Sequence, residues 1–446
     1  MDQDTDQTET AIEATYRTES PASLEQFERD CESMPGGAKG AYYYGPYPLT
    51  MQRGEGCYLF DIDERRRADF ANHHTGQILG HNNAAVNEAV QAQLERGIAL
   101  GAPTGNEAGL AEELCSRVAS LERVRFCNSG TEATLHAIRL ARGFSGRPKI
   151  AKFEGGYHGS HDPVEVSVAP PVEEAGPAEA PHSVATAGGM SPSATDEVIV
   201  LPYNNEEAVE RIVRSHRDEL ACVILDPKTG ILPVRKEFVQ AVRRITQENE
   251  VLLILDEVVG FRVTRGGCQE HFGISPDLSA FGKVVGGGFP VGALGGRADI
   301  MALFDNSGDP TGFFQSGTFS AHAVVMAAGL ATLRQLTPEA FAHMNGLGER
   351  LRAGLDELSA SVDTPFQGVV LGSLFSVYFT EEPLVDYRSL ASSDGAMAHR
   401  VFLSLLNQGY YLSQGLSMNA LSLPMTDEHI DGLLLAFERA LEEARA

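Results

Sequence analysis

Lysine is scarce in this chain. Across 446 residues it stands only at Lys39, Lys149, Lys152, Lys228, Lys236 and Lys283, and every other permanent cation is an arginine. Basic residues as a whole are outnumbered, 35 against 61 acids, which leaves a net charge of −26. Such an excess of anionic groups argues against nucleic acid and against anionic membranes as partners, because both would be repelled. The six cysteines (Cys31, Cys57, Cys115, Cys127, Cys222 and Cys268) are scattered without a CxxC pair. Neither a zinc site nor a disulfide framework is indicated, and no metal is expected. No apolar run approaches the roughly 20 residues of a membrane-spanning helix. The opening MDQDTDQTET is acidic and lacks the apolar segment of a secretory leader, so a cytoplasmic location is the default expectation. There is also no Walker A loop, and no GxGxxG follows a strand, which weakens nucleotide-binding readings.

What is present supports a folded chain with at least two domains: 43% apolar and 22% charged residues over this length are enough for a full core. Its most informative stretch runs from Val251 to Gly296. Val251 to Leu255 is a short uninterrupted apolar run ending at Asp256, as expected of a strand buried on both faces. In an open parallel sheet, ligands collect at the carboxyl ends of the strands, where Asp256 falls. Lys283 ends a second apolar segment and precedes Gly286, Gly287 and Gly288. An aspartate at a strand end also caps turns, and a lysine before glycines is also a common solvated loop residue. Lys283, however, is the one lysine with an apolar segment before it and glycines after it, and burial favours a neutral, nucleophilic amine. An aspartate and a lysine so placed form the pair an enzyme needs to hold pyridoxal phosphate. The amine forms a Schiff base with the aldehyde, and the carboxylate keeps the pyridine nitrogen protonated so that the ring accepts electrons.

Other segments fall into place around this pair. Arg123 to Cys127 is a predicted strand, followed by Asn128, Ser129, Gly130 and Thr131 and a helix to Arg142. Free amides at a helix start, with the hydroxyls of Ser129 and Thr131, would hold a dianionic phosphate. Lys149 to Phe153 is another strand, ending in Glu154-Gly155-Gly156-Tyr157-His158-Gly159, where glycines let the backbone approach a planar ring on which Tyr157 could stack. Strands alternating with helices (198–202, 206–216, 221–225, 234–248) imply parallel crossovers. Residues 163–195, rich in Pro, Ala, Gly and Ser, read as a long surface excursion. The first 18 residues read as a disordered or loose arm. Tyr42, Tyr43, Tyr44 and Tyr47 crowd one turn-rich stretch, which suits either a hydrophobic plug or a substrate-facing wall. His73 and His74 are adjacent and cannot share one face of a regular element, so a metal pair is not expected.

The series DEV (256–258), GFR (260–262), PDL (276–278) and GKVVGGGFPVGA (282–293) resembles the class III (subgroup II) pyridoxal-phosphate aminotransferases. Within them it is most similar to the branch holding glutamate-1-semialdehyde aminomutase and the β-amino-acid aminotransferases. The resemblance implies an α/β fold of type I: a large domain with a mostly parallel seven-stranded sheet, plus a small α+β domain from both chain ends. Boundaries follow at 1–85 for the arm and first small-domain segment, 86–337 for the large domain and 338–446 for the second segment. It further implies pyridoxal 5′-phosphate as cofactor, with Lys283 as its Schiff-base lysine and Asp256 on the pyridine nitrogen. Tyr157 would cover the ring, with His158 beside it and Val258 in contact, while Ser129, Gly130 and Thr131 hold the phosphate. Thr318 would reach the phosphate of the partner subunit in a homodimer, and Tyr43, Tyr44, His74 and Thr75 would lie near the substrate.

The chain also departs from that branch. The window Ala38 to Tyr44 carries no arginine to grip a substrate carboxylate, although Lys39 could supply a point charge. The aminomutase glutamate has no counterpart in Gly415 to Asn419, nor its asparagine in Asp226 to Ile231. These losses favour an aminotransferase acting between a small-molecule amino donor (a β-amino acid or amine) and a keto acceptor. An isomerase on the same cofactor, an aminomutase or racemase, is the alternative.

Overall fold

The computed structural model describes residues 10–38, 40, 43–228, 232–307 and 312–445. Near the beginning, β1 (Met51–Glu55), β2 (Tyr58–Asp61) and β3 (Arg66–Asp69) form an antiparallel ribbon. Then come β4 (Arg123–Cys127), β5 (Lys149–Phe153), β6 (Val198–Leu201), β7 (Leu220–Leu225), β8 (Leu252–Asp256), β9 (Leu278–Gly282) and β10 (Gly292–Gly296). These seven pair in the order β4-β10-β9-β8-β7-β5-β6. All neighbours are parallel except β10, which runs against both β4 and β9. The expected mostly parallel seven-stranded sheet of the fold type I transferases is therefore present. Every residue of β7, β8 and β9 is buried, which explains the continuous apolar runs of β7 and of β8 up to Asp256. Helices cover the faces: Lys236–Glu248 turns Phe238, Val239, Val242 and Ile245 inward at helical spacing.

The chain closes with β11 (Gln367–Leu371), β12 (Leu374–Tyr378), β13 (Tyr410–Tyr411) and β14 (Asn419–Ala420). β13 returns to pair with β3, joining the two chain ends in one sheet. One apolar cluster accordingly unites Ile12, Tyr16, Tyr47 and Phe70 with Phe375, Phe402, Phe437 and Leu441. Among the described residues, no helix is long and apolar enough to cross a membrane.

Several expectations need correcting. Residues 1–9 lie outside the described ones, but the rest of the supposed loose arm is the helix Ala11–Glu19. Thr10 and Glu13 cap it reciprocally, Thr10 Oγ1 accepting from the Glu13 amide and Glu13 Oε2 from the Thr10 amide. Tyr16 then buries itself and donates to the Tyr47 carbonyl at 2.7 Å. The segment from Tyr410 to Gln414, whose aromatic and apolar residues suit a strand, supplies only the two-residue β13. β1, β10, β11 and β14 were not anticipated, and β10, with sequence GALGG, is the instructive one. A Cβ at Gly292 would stand 2.0 Å from the Ser129 carbonyl, and one at Gly296 2.2 Å from that of Asp277. Glycine weakens strand propensity, but here other segments cross the strand too closely for any side chain.

Arg67 and Asp61 form a fully buried ion pair under the antiparallel ribbon. Arg67 Nε also donates to the Leu406 carbonyl at 3.3 Å, and Asp61 accepts from the Arg65 amide at 2.8 Å. Removing one member strands the other charge in the interior. Asp61→Ala is expected to lower unfolding free energy by about 3–5 kcal/mol, read from urea unfolding of the two proteins, whereas an exposed pair would cost under about 1 kcal/mol.

Candidate active site

Four strand ends meet on one edge of the sheet. After β4, Ser129 caps the helix Gly130–Ser145, its side chain accepting from the Glu132 amide at 3.1 Å. The Gly130 and Thr131 amides belong to the first turn and have no acceptor within the helix. Gly159, with φ +99°, lies against this turn: a Cβ there would come within 2.6 Å of Thr131 Oγ1. The Ser160 amide donates to the same hydroxyl at 3.3 Å. Val258 sits across from the helix start, since a Cβ at Gly130 would be 2.9 Å from its Cγ2. Gly282 completes the cradle, its own Cβ direction ending 3.3 Å from Val258 Cγ1 and 3.5 Å from Gly130 Cα. Three segments far apart in sequence are thus brought together immediately before Lys283.

Asp256 ends β8 and is paired in register with Ala280 of β9, three residues before that lysine. Its carboxylate accepts from the Val258 amide at 3.0 Å and pairs with His158 Nδ1 at 2.9 Å. Burial works against its charge, but the His158 hydrogen bond and charge, the Val258 amide and Lys228 outweigh it, leaving Asp256 below the usual aspartate value. His158 is buried, and its Nε2 has no hydrogen-bond partner among the described residues. Tyr157, on the same strand end, is 54% exposed. Lys283 adopts φ +48° and makes no hydrogen bond or ion pair among the described residues. Burial, reinforced by the Lys228 charge and opposed by Asp256 and Asp226, lowers its pKa to about 8.

Apart from this cradle, a cavity of about 400 Å³ is lined by Phe27, Tyr44, Leu49, His73, His74 and Phe402, among others, with neither Lys283 nor Asp256 in its lining. That volume lies within the range of small-molecule sites. Tyr44 faces it from a buried position, its hydroxyl accepting from the Leu49 amide at 2.9 Å. Tyr43 is 47% exposed and packs at a tilt on Phe27. His74 is half-buried, and Thr75 is buried beside the lysine's segment. Lys39, Tyr42 and Ile231 lie outside the described residues. Thr318 is exposed in the single chain, although its neighbour Gly317 lies close to Asn128 Nδ2.

Sequence reasoning missed three groups at this site. Lys228 Nζ and Asp226 form a buried pair at 2.5 Å at the end of β7. Glu257 is buried behind Asp256 and accepts from the Cys268 and Gln269 amides at 2.9 Å each, while burial raises its pKa to about 7. Arg262 is fully buried. Nothing in the composition flagged them, but a charged residue inside or closing an apolar run was a usable signal in each case.

The chain matches the family described as aminotransferase class-III over residues 40–441. It belongs to the class-III aminotransferases. Among relatives, a glutamate-1-semialdehyde 2,1-aminomutase of Methanocaldococcus jannaschii is 38% identical over 94% of this chain and 98% of that protein. Among solved structures, an omega-transaminase from Sphaerobacter thermophilus superposes with a TM-score of 0.93 at 42% identity, covering 97% of this chain and all of that one. A β-phenylalanine aminotransferase from Variovorax paradoxus gives 0.85 at 36% identity, covering 96% of each chain. Family membership makes pyridoxal 5′-phosphate the cofactor. The residues fit it: a helix start with open amides suits the phosphate, an ionised buried carboxylate suits a ring nitrogen, and an unpaired amine suits an aldehyde.

A lowered lysine pKa predicts a pH profile. The neutral amine is the nucleophile, so in apo protein the rate of covalent reaction with pyridoxal phosphate should rise as pH increases and level off above about 8. Stopped-flow absorbance from pH 6 to 11 measures it, and a rate still climbing towards the ordinary lysine value near 10.4 would contradict the assignment.

Proposed function

We propose that this chain is an aminotransferase that moves an amino group from a small-molecule donor, an amine or β-amino acid, to a keto acceptor. One observation carries the reading: Asp256 is held ionised at one strand end while the Lys283 amine is left unpaired at the next. The pyridoxal ring, when bound, supplies an aldehyde for covalent attachment and an electron-accepting system. Ser129, Gly130 and Thr131 would hold its phosphate, Tyr157 and Val258 would contact its ring, and His158 pairs with Asp256 and holds it in place. Asp256 keeps a proton on the ring nitrogen. Lys283 Nζ would take a proton from the carbon bearing the donor's nitrogen, and a pKa near 8 suits that basic role. The cavity beside His73 and His74 receives the remainder of the substrate.

Residues 86–337 act in this reading as the cofactor-binding unit, with 1–85 and 338–446 forming the smaller one, a division supported by the apolar cluster that joins both chain ends. A homodimer in which Thr318 completes the site of the partner subunit is supported by the exposed Phe314 and Phe319 beside it, 68% and 62% accessible in the single chain. A second reading, an isomerase, draws support from the aminomutase relative. The missing arginine in the described part of the Ala38 to Tyr44 window weighs against it.

Lys283→Ala should abolish the visible absorbance band of the holoenzyme together with activity, and Asp256→Asn should retain the band but lose about 10²–10³-fold in kcat, the usual range for loss of one preorganised electrostatic partner. Mixing holoenzyme with amines alone should bleach the band, and recovery should require an added keto acid. Product formed from one amino compound without any acceptor would instead establish the isomerase.

A further inference from the structure

Four consecutive residues in this chain adopt left-handed backbone angles: Asn72 (φ +49°), His73 (φ +50°), His74 (φ +50°) and Thr75 (φ +72°). None is glycine. Isolated Asn or His residues visit this region, but L-residues avoid it in succession because each Cβ crowds the following carbonyl. Such a turn persists only where its surroundings over-determine it, and strain of this kind concentrates at functional sites.

The surroundings here centre on one guanidinium. Arg262 is fully buried and has no carboxylate within ion-pair distance among the described residues. Its Nη1 donates to the Thr75 carbonyl at 2.6 Å, its Nε to Ser373 Oγ at 3.1 Å, and its Nη2 to the Leu421 carbonyl. Asn72 ties the other end of the turn to the same chain segment, its Nδ2 donating to the Ala420 carbonyl at 2.5 Å. A buried cation that contacts only carbonyl and hydroxyl oxygens from three separate segments serves geometry rather than charge neutralisation.

The turn lies at the site. Around the Cβ direction of Gly76, the next residue, lie Lys283 Cβ at 3.8 Å and His73 Cδ2 at 3.9 Å. His73 and His74 also line the 400 Å³ cavity. We infer that Arg262 is a positioning residue: it holds the left-handed turn Asn72–Thr75, next to the segment that carries Lys283, so that His73 and His74 line the substrate cavity. The inference rests on the cavity being the substrate's, as proposed above. A lysine at 262 could reach only part of the acceptor set, because it lacks the planar fork.

The test uses the holoenzyme, with Arg262→Lys, His73→Gly and the double variant. Arg262→Lys should retain the cofactor's visible band and raise KM for the amino donor about tenfold, with a much smaller change in kcat. Glycine takes left-handed angles without crowding, so His73→Gly should raise Tm by about 1–2 °C. The Tm loss caused by Arg262→Lys should be smaller in the His73→Gly background than in the wild type, because the turn then needs less holding. Equal losses in both backgrounds, or a fall in kcat and cofactor occupancy with no KM effect, would overturn the inference. If Arg262→Lys does not fold, His73→Gly alone decides, since a lowered Tm would mean the turn is not strained. A wild-type enzyme that reacts with no amine would refute the proposed function while leaving the thermal cycle between positions 262 and 73 to judge this one.

Discussion

An ionised carboxylate inside a protein is costly, and this site is arranged around keeping one. Asp256 lies at the end of a strand buried along its whole length, where the loss of water favours the neutral acid. His158, the Val258 amide and the nearby Lys228 reverse that preference. Each comes from a different strand end, so the charge exists only when β5, β7 and β8 are in register. The parallel direction of these strands puts all three ends on one edge, and β9 adds Lys283 to it. Lys228 also helps keep the Lys283 amine neutral. A single buried cation, itself held by Asp226, therefore lowers the pKa of both groups, helping to keep the acid ionised and to leave the amine neutral.

Close approach of backbones is the second constraint. Gly130, Gly159, Gly282 and Gly292 each stand where a methyl group would strike a neighbouring segment of the site. What they permit is a shallow cradle in which the helix start, Val258 and the lysine loop meet. Lys283 itself holds φ +48°, and the Asn72–Thr75 turn adds further left-handed residues nearby. Backbone strain of order 1–3 kcal/mol per residue is tolerable only because the surrounding packing is extensive.

The ends of the chain reach this site as well. Arg388 grips Glu154, just before Tyr157, through two contacts of 3.1 Å, and also donates to the Ala175 and Gly176 carbonyls. Tyr387 packs against Gly155 and donates to the Pro170 carbonyl at 3.0 Å. The excursion over residues 163–195, which composition alone would make a free surface loop, is thus tied to the C-terminal part of the chain.

Much was legible beforehand. Val251 to Leu255 announces itself as a strand because burial on both faces demands an uninterrupted apolar run, and Lys283 stands out in a chain with so few lysines. The capping box at Thr10 and Glu13 was also readable, but the acidic composition around it masked the helix. β10 could not be read, since its glycines answer to segments that cross it from elsewhere. The same holds for Tyr44, whose burial depends on the N-terminal helix and on Phe402, with which it makes an edge-on contact. By itself, then, the sequence determined the buried central strands and singled out Lys283 and Asp256, both of which follow from local pattern. Only the tertiary structure decided the roles of Arg262, Lys228 and Glu257, because a buried charge takes its meaning from partners that lie far away along the chain.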